Sequence, residues 1–356
     1  MTQVELRDVT VEKGGSELLR GADLVAEAGT VVGIVGSSGS GKTTLLRAVA
    51  GLDQLARGAV LFDHTDVTAT QPGERNIAMV FQQAALYPHR NARRNISFPL
   101  EMRHAALEEI RRRVGAEARA LHIETILERS PDELSAGEVQ MVQVARAMVR
   151  SPAVLLLDEP FAHLDAERTM HLRRELLMIQ RGFGVTALVA TNDPVDAMTM
   201  TDRIAVIERG RITQVGAPLD VYDDPQTAAA AFLTGDADVL EVTVTTDRDG
   251  SWLEHGGFKQ RAWQPALRRH AHRRLQMVVR PEWWQLDPNG TIEVDVDRVH
   301  RRGGSTLLWC RVGGRPMTVT LAGSAGPMPQ DGDRVRLHLD RYVLLDPLDG
   351  RRLDLG

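Results

Sequence analysis

The chain has 356 residues, room for about two domains, and its 43% hydrophobic and 26% charged content is that of an ordinary globular protein. A net charge of −5 argues against a nucleic-acid binder, and a single cysteine, Cys310, excludes an internal disulfide framework. No apolar run approaches the ~20 residues that cross a bilayer. No basic segment precedes an apolar core at the N-terminus, so the expectation is a chain without a signal peptide that reaches a membrane only through partners.

In chain order, residues 4–11 and 18–26 alternate in the manner of antiparallel strands. Residues 30–35 are β-branched and apolar enough for a buried parallel strand, and 44–51 read as a helix ending in glycine. Further strands are expected at 58–62 and 77–81. From about 91 to 150 the texture turns helical and polar, with a long helix over 137–150. A buried strand at 153–157, an amphipathic helix at 166–180 and another strand at 185–190 follow, then a hairpin of 204–207 and 211–215 around Arg209 and Gly210. Strands alternating with helices predict a parallel α/β core with a helical insertion. After about residue 234, short strand candidates at 239–246, 276–279, 292–296, 307–310, 317–321 and 334–339 alternate with Gly- and Asp-containing turns. That rhythm predicts a small all-β, barrel-like domain. Within it, Arg268, Arg269, Arg273 and Arg274 with His270 and His272 form a basic run, read as a solvated loop.

Between the strand at 30–35 and the helix at 44–51 lies Gly36-Ser37-Ser38-Gly39-Ser40-Gly41-Lys42-Thr43-Thr44, a complete P-loop. Its glycines let backbone N–H groups and a helix N-terminus wrap a phosphate chain. Lys42 is placed to reach the β- and γ-phosphates, and the Thr43 hydroxyl to ligate Mg²⁺. Lysine is otherwise present only at Lys13 and Lys259, so a chain that writes positive charge as arginine keeps a slim point charge here. The strand at 153–157 ends in Asp158 and Glu159, the first suited to the Mg²⁺ shell and the second to polarising an attacking water.

Leu134-Ser135-Ala136-Gly137-Glu138, leading into the helix at 139–147, resembles the Leu-Ser-Gly-Gly-Gln signature of ABC ATPases. The motif order is also theirs: P-loop, Gln82 in Phe81-Gln82-Gln83, signature, Asp158-Glu159, Leu164-Asp165, then Asn192 where the family carries its switch histidine. The resemblance covers about residues 1–235. The segment from Gly216 to Phe232, Tyr87-Pro88-His89, and a β-domain containing Arg280-Pro281-Glu282 are similar to the ATPases of carbohydrate importers of the maltose-transporter type. It implies an ATPase domain over 1–235, with a helical subdomain over 91–150, and a TOBE-type, OB-like regulatory domain over 236–356. It further implies ATP and Mg²⁺ as cofactors, with Thr43, Asp158 and Gln82 at the metal, and Glu159, Gln82 and Asn192 at the chemistry. ATP would lie between the P-loop of one protomer and Ser135, Gly137 and Asp165 of a second, most simply in a homodimer. Two transmembrane permease subunits and, through them, an extracytoplasmic solute-binding protein would be partners, with the chain peripheral on the cytoplasmic face of the inner membrane. The solute would be a sugar or sugar derivative; an anion, polyamine or iron importer, or a regulatory ATPase of low activity, is the alternative.

Several positions depart from that pattern. Asn192 can donate a hydrogen bond but carries neither charge nor proton. Ala136 stands where glycine allows the closest approach, and Glu138 brings a carboxylate toward the partner's triphosphate. The stretch Glu12-Lys13-Gly14-Gly15 lacks the aromatic that stacks on adenine. Two readings stay open: variations tolerated in a normal transporter ATPase, or a slow ATPase that keeps Glu159 while its γ-phosphate sensor and signature are weakened.

Overall fold

The computed structural model describes residues 1–82, 86–162, 166–256, 258–312, 314–323 and 328–355, excluding the side chains of 166–168, 171 and 179. Asp165 and Leu164 lie outside the described residues. The chain divides into two compact units, Met1–Val221 and Tyr222–Gly356.

The first unit opens with β1 (Val4–Lys13) and β2 (Ser16–Ala26), an antiparallel pair whose alternating side chains bury one face. Then come β3 (Val31–Val35), α1 (Lys42–Ala50), β4 (Arg57–Phe62), β5 (Thr65–Asp66) and β6 (Ile77–Val80). The helical insertion consists of α2 (Ala92–Glu101), α3 (Leu107–Ala120) and α4 (Ala136–Met148). The chain returns through β7 (Val154–Asp158), α5 (Ala166–Phe183), β8 (Thr186–Thr191), α6 (Pro194–Met200), β9 (Arg203–Glu208) and β10 (Arg211–Gly216). One sheet runs β2-β1-β4-β5, the other β10-β9-β3-β8-β7-β6. In the second, β9, β3, β8, β7 and β6 are parallel and only β10 is antiparallel. β3, β7 and β8 are buried at every residue, which is why they read as continuous apolar runs rather than alternations.

Register fixes the site. Val35 lies opposite Thr191, Asp158 opposite Ala190, and Val80 opposite Leu157. The carboxyl ends of β3, β8, β7 and β6 therefore come level, and Gly36, Asn192, Glu159 and Gln82 emerge along one edge. Loops at that edge of an open parallel sheet are where such folds gather ligands.

The division between units falls inside α7 (Pro218–Asp223), earlier than the expected boundary at 235. The reason is α8 (Ala228–Thr234), whose Ala231 belongs to the core of the second unit. Arg280, fully buried, secures this segment. Its guanidinium donates to Tyr222 O at 2.8 Å, Ala231 O at 3.0 Å, Asp236 O at 3.1 Å and Thr234 Oγ1 at 2.9 Å, and stacks 3.6 Å from the Tyr222 ring centroid. The rest of the unit is β11 (Asp238–Thr246), β12 (Ser251–His255), β13 (Phe258–Ala262), β14 (Arg274–Val279), β15 (Trp284–Leu286), β16 (Ile292–Arg302), β17 (Ser305–Val312), β18 (Arg315–Ala322), β19 (Arg334–Leu339) and β20 (Val343–Leu345). They form two five-stranded sheets, β13-β12-β11-β14-β20 and β15-β19-β16-β17-β18, around a common apolar core. Cys310 is buried there and its thiol pKa is pushed up to about 12 by desolvation, so it is inert. The basic run is not wholly a solvated loop: residues 265–270 form a 3-10 turn that buries Leu267, and Arg273 pairs with Asp346 at 2.8 Å.

Candidate functional site

The phosphate loop is shaped by what its glycines exclude. A Cβ on Gly36 would stand 2.4 Å from Ser40 Oγ and 2.5 Å from Ile207 O. Gly41, at φ 114°, is the N-cap of α1, and no side chain caps that helix or puts a carboxylate in its first turn. Its leading N–H groups are thus left for an anion, with the positive end of the helix dipole behind them. Ser40 is buried with its hydroxyl unpartnered. An uncapped helix start, an orphaned hydroxyl and a close-fitting backbone are a cradle that suits a phosphate chain.

Lys42 is 4% exposed and donates to Gly36 O at 2.8 Å and Ser37 O at 3.1 Å, folded over the loop it serves. Its Nζ is also 3.4 Å from Glu159 Oε1. Gln82 Nε2 donates to the other Glu159 oxygen at 2.9 Å. Thr43 Oγ1 donates to Asp158 Oδ1 at 3.1 Å. Burial raises the pKa of Asp158, against the hydrogen bond from Thr43, and the adjacent Glu159 adds to the rise. The structure brings Lys42, Thr43, Gln82, Asp158 and Glu159 together.

Glu159 has φ 46°, left-handed for a residue with a side chain, and its N–H donates to Ala190 O at 2.9 Å. Backbone strain of this kind, held by a neighbouring strand, is characteristic of functional turns. Two cavities meet at Glu159. One, of about 490 Å³, is lined by Ser38, Gly39, Gly41, Lys42, Thr43, Thr44 and Gln82. The other, of about 430 Å³, is lined by Phe161, Arg173, Thr191, Asn192, Asp193 and Asp196 among others.

Asn192 is exposed and its amide has no partner among the described residues, but its loop is pinned on both sides. Thr191 Oγ1 donates to Asp196 at 2.7 Å and accepts from Asp193 N at 3.0 Å, while Arg173 donates to Asp193 at 2.6 Å and also bonds Asp196. Burial raises the pKa of Asp196, opposed by the bond from Thr191 and the charge of Arg173. Sequence reasoning missed Arg173 and Asp196; their i to i+23 spacing carries no local signal.

The signature lies apart: neither Ser135 nor Gly137 lines either cavity. Ser135 is the N-cap of α4, with its Oγ accepting from Glu138 N at 3.3 Å and Glu138 Oε2 accepting from Ser135 N at 2.8 Å. Arg129 pairs with Glu138 at 3.3 Å. The Glu138 carboxylate is thus folded onto its own helix start and partly neutralised, which weakens the expected repulsion of a facing triphosphate. Lys13 donates to Asp53 at 2.8 Å, so it is tied into an ion pair and not presented to a base. Among the described residues no group of three His, Cys, Asp or Glu is placed to hold a metal ion.

Comparison with known proteins agrees. Residues 19–162 match the family described as ABC transporter, and 277–345 match the TOBE domain. The sn-glycerol-3-phosphate import ATP-binding protein UgpC of Roseobacter denitrificans is 38% identical over 350 residues, 96% of each chain. The protein of the same name from Ruegeria sp. is 34% identical over 99% of each chain. Among solved structures, cbiO1 of Clostridium perfringens, part of the ABC transporter complex cbiONQ, superposes with a TM-score of 0.58 at 27% identity, covering 62% of this chain and 90% of that one. The cassette MJ0796, in a dimeric post-hydrolysis state bound to ADP and Pi, gives 0.55 at 28% identity over 60% of this chain and 98% of its own. The chain belongs to the ABC transporter family of ATPases, among the ATP-binding import subunits of the maltose-transporter type that end in a TOBE domain.

Proposed function

We propose that this chain hydrolyses ATP to drive uptake of a polar, phosphate-bearing sugar or polyol, of the kind its UgpC relatives are named for. The observation that carries the reading is Glu159, held at the end of β7 with one oxygen 3.4 Å from Lys42 Nζ and the other 2.9 Å from Gln82 Nε2, beside an uncapped helix start. The loop amides and Lys42 bind the triphosphate. Glu159 accepts a proton from the attacking water, and Gln82 orients that carboxylate. Thr43 and Asp158, whose oxygens converge at 3.1 Å, with Gln82, would hold Mg²⁺. The ion, when bound, would supply charge neutralisation at the β,γ-oxygens. Asn192 offers an amide to the γ-phosphate.

Because the signature lines neither cavity, a second copy of the chain supplies Ser135, Gly137 and Asp165 in this proposal. Closure on ATP is then transmitted through a groove of about 490 Å³ lined by Phe81, Tyr87, Phe98, Pro99 and Met102. Phe81, Tyr87 and Met102 are exposed there, and buried Asn95 fixes Tyr87 by accepting from its N–H at 2.7 Å. An apolar surface of this kind suits a permease helix. Two permease subunits and a solute-binding protein complete the assembly. The test is Mg²⁺-dependent ATP hydrolysis by the purified chain: activity is expected in the wild type and lost in Lys42→Ala, and equal rates in both would refute the assignment.

A further inference from the structure

The cavity above the phosphate loop has a wall that the motifs leave unexplained. Leu18 and Arg20 of β2, with Arg209 and Gly210 of the β9–β10 turn, line it beside the loop. Hydrogen bonds hold this wall in place: Gly210 N donates to Ser40 O at 2.8 Å, and Arg20 N to Gly210 O at 2.8 Å. A Cβ on Gly210, at φ 79°, would stand 2.6 Å from Leu18 O, so glycine is what lets the turn approach β2. Arg209 beside it has φ 49°, is exposed, and its guanidinium has no hydrogen-bond or ion-pair partner among the described residues. Arg20 has only a loose contact with Glu17, at 3.7 Å. Two arginines thus line a cavity that also contains Lys42, with the carboxylates of Glu17 and Glu159 in the same lining, so cations outnumber anions there by three to two.

No described residue lining that cavity is aromatic. Lys13, at the position where an aromatic was expected, is occupied: Asp53 accepts from it and from Arg47. Burial raises the Asp53 pKa, but these two bonds outweigh it and hold the carboxyl below its usual range. The pair is therefore a persistent one. Leu18, partly exposed, offers an apolar contact that any base can use.

We infer that Arg20 and Arg209 grip the nucleotide through its phosphates, in place of an aromatic stack on its base, so that the site accepts nucleoside triphosphates with little regard to the base. The attraction of two cations for a triphosphate is the same whatever base it bears, whereas stacking strength varies with the base. This rests on the triphosphate site proposed above.

Calorimetric titration of the full chain with Mg²⁺ and either ATP or UTP, at low and high salt, tests it. The two nucleotides should bind within about threefold of each other, and Arg20→Ala/Arg209→Ala should weaken both by about tenfold and flatten the salt dependence. Both side chains are on the surface, so the thermal melt of the double variant should match the wild type. A wild-type preference for ATP above about tenfold, or a double variant that binds both nucleotides as the wild type does, overturns the inference. Lys42→Ala separates the two ideas. Base-selective binding that still needs Lys42 defeats only this inference, while ATP binding indifferent to Lys42 defeats the triphosphate site itself.

Discussion

Asn192 and Glu159 face the same cavity, and together they define what the site can and cannot do. In the proposed reading Glu159 is the base, whereas Asn192 would offer one neutral donor where a histidine would offer charge. Removing one stabilising donor from a developing oxyanion typically costs about 2.7–4 kcal/mol of barrier, so Asn192→Ala should lower turnover by about 10²-fold. A steady-state ATPase assay reads this directly, and an unchanged rate would show that the Asn192 amide takes no part. Glu117 of α3 gives a second residue-scale prediction. It is 6% exposed, its Oε2 has no partner among the described residues, and desolvation raises its pKa to about 7 from an ordinary value of 4.5. The folded chain therefore holds this proton through a pH window in which the unfolded chain has lost it, so stability falls as pH rises through that window. Glu117→Gln should stabilise the chain by up to about 3 kcal/mol near pH 8 and leave it unchanged near pH 4, measured by urea unfolding. Equal effects at both pH values would contradict the assignment. The grouping of Lys42, Thr43, Asp158, Glu159 and Gln82 was legible because each stands in a contiguous motif. The pairing of Arg173 with Asp196 and the place of Arg209, unpartnered among the described residues, in the wall of the cavity were not, since each depends on segments that only the fold brings together.

At the scale of elements, the parallel strands announced themselves through unbroken apolar runs, and the hairpin of β9 and β10 through Arg209-Gly210 between two such runs. The strands that escaped notice are β5, β12, β13, β15 and β20. β12 and β13 alternate Ser, Glu, Lys and Gln with few apolar residues, while β15 and β20 have three residues each. Periodicity needs length to be visible, and pairing of β12 with β11, β13 with β12, β15 with β19 and β20 with β14 supplies what these sequences lack. The same holds for α8, which resemblance placed with the ATPase and the Arg280 bonds place with the second unit. Arg280→Ala would leave three carbonyls and the Thr234 hydroxyl without their donor. It should cost about 3–5 kcal/mol in the unfolding of that unit, followed by calorimetry. A loss below ~1 kcal/mol would mean that these bonds are readily replaced by water.

For the whole molecule, one unit carries the phosphate loop and Glu159, and the other is a mostly β unit with its own core. No helix among the described residues is long and apolar enough to cross a membrane. In the proposed reading, ATP hydrolysis that begins with proton abstraction by Glu159 drives solute through the permease subunits. Uptake of sn-glycerol-3-phosphate into vesicles containing the permease subunits, the chain and internal ATP, with the solute-binding protein outside, tests it most directly when wild type is set against Glu159→Gln. The account predicts that Glu159→Gln still binds ATP yet reduces uptake by about 10²-fold or more. Uptake at the wild-type rate in Glu159→Gln would contradict it.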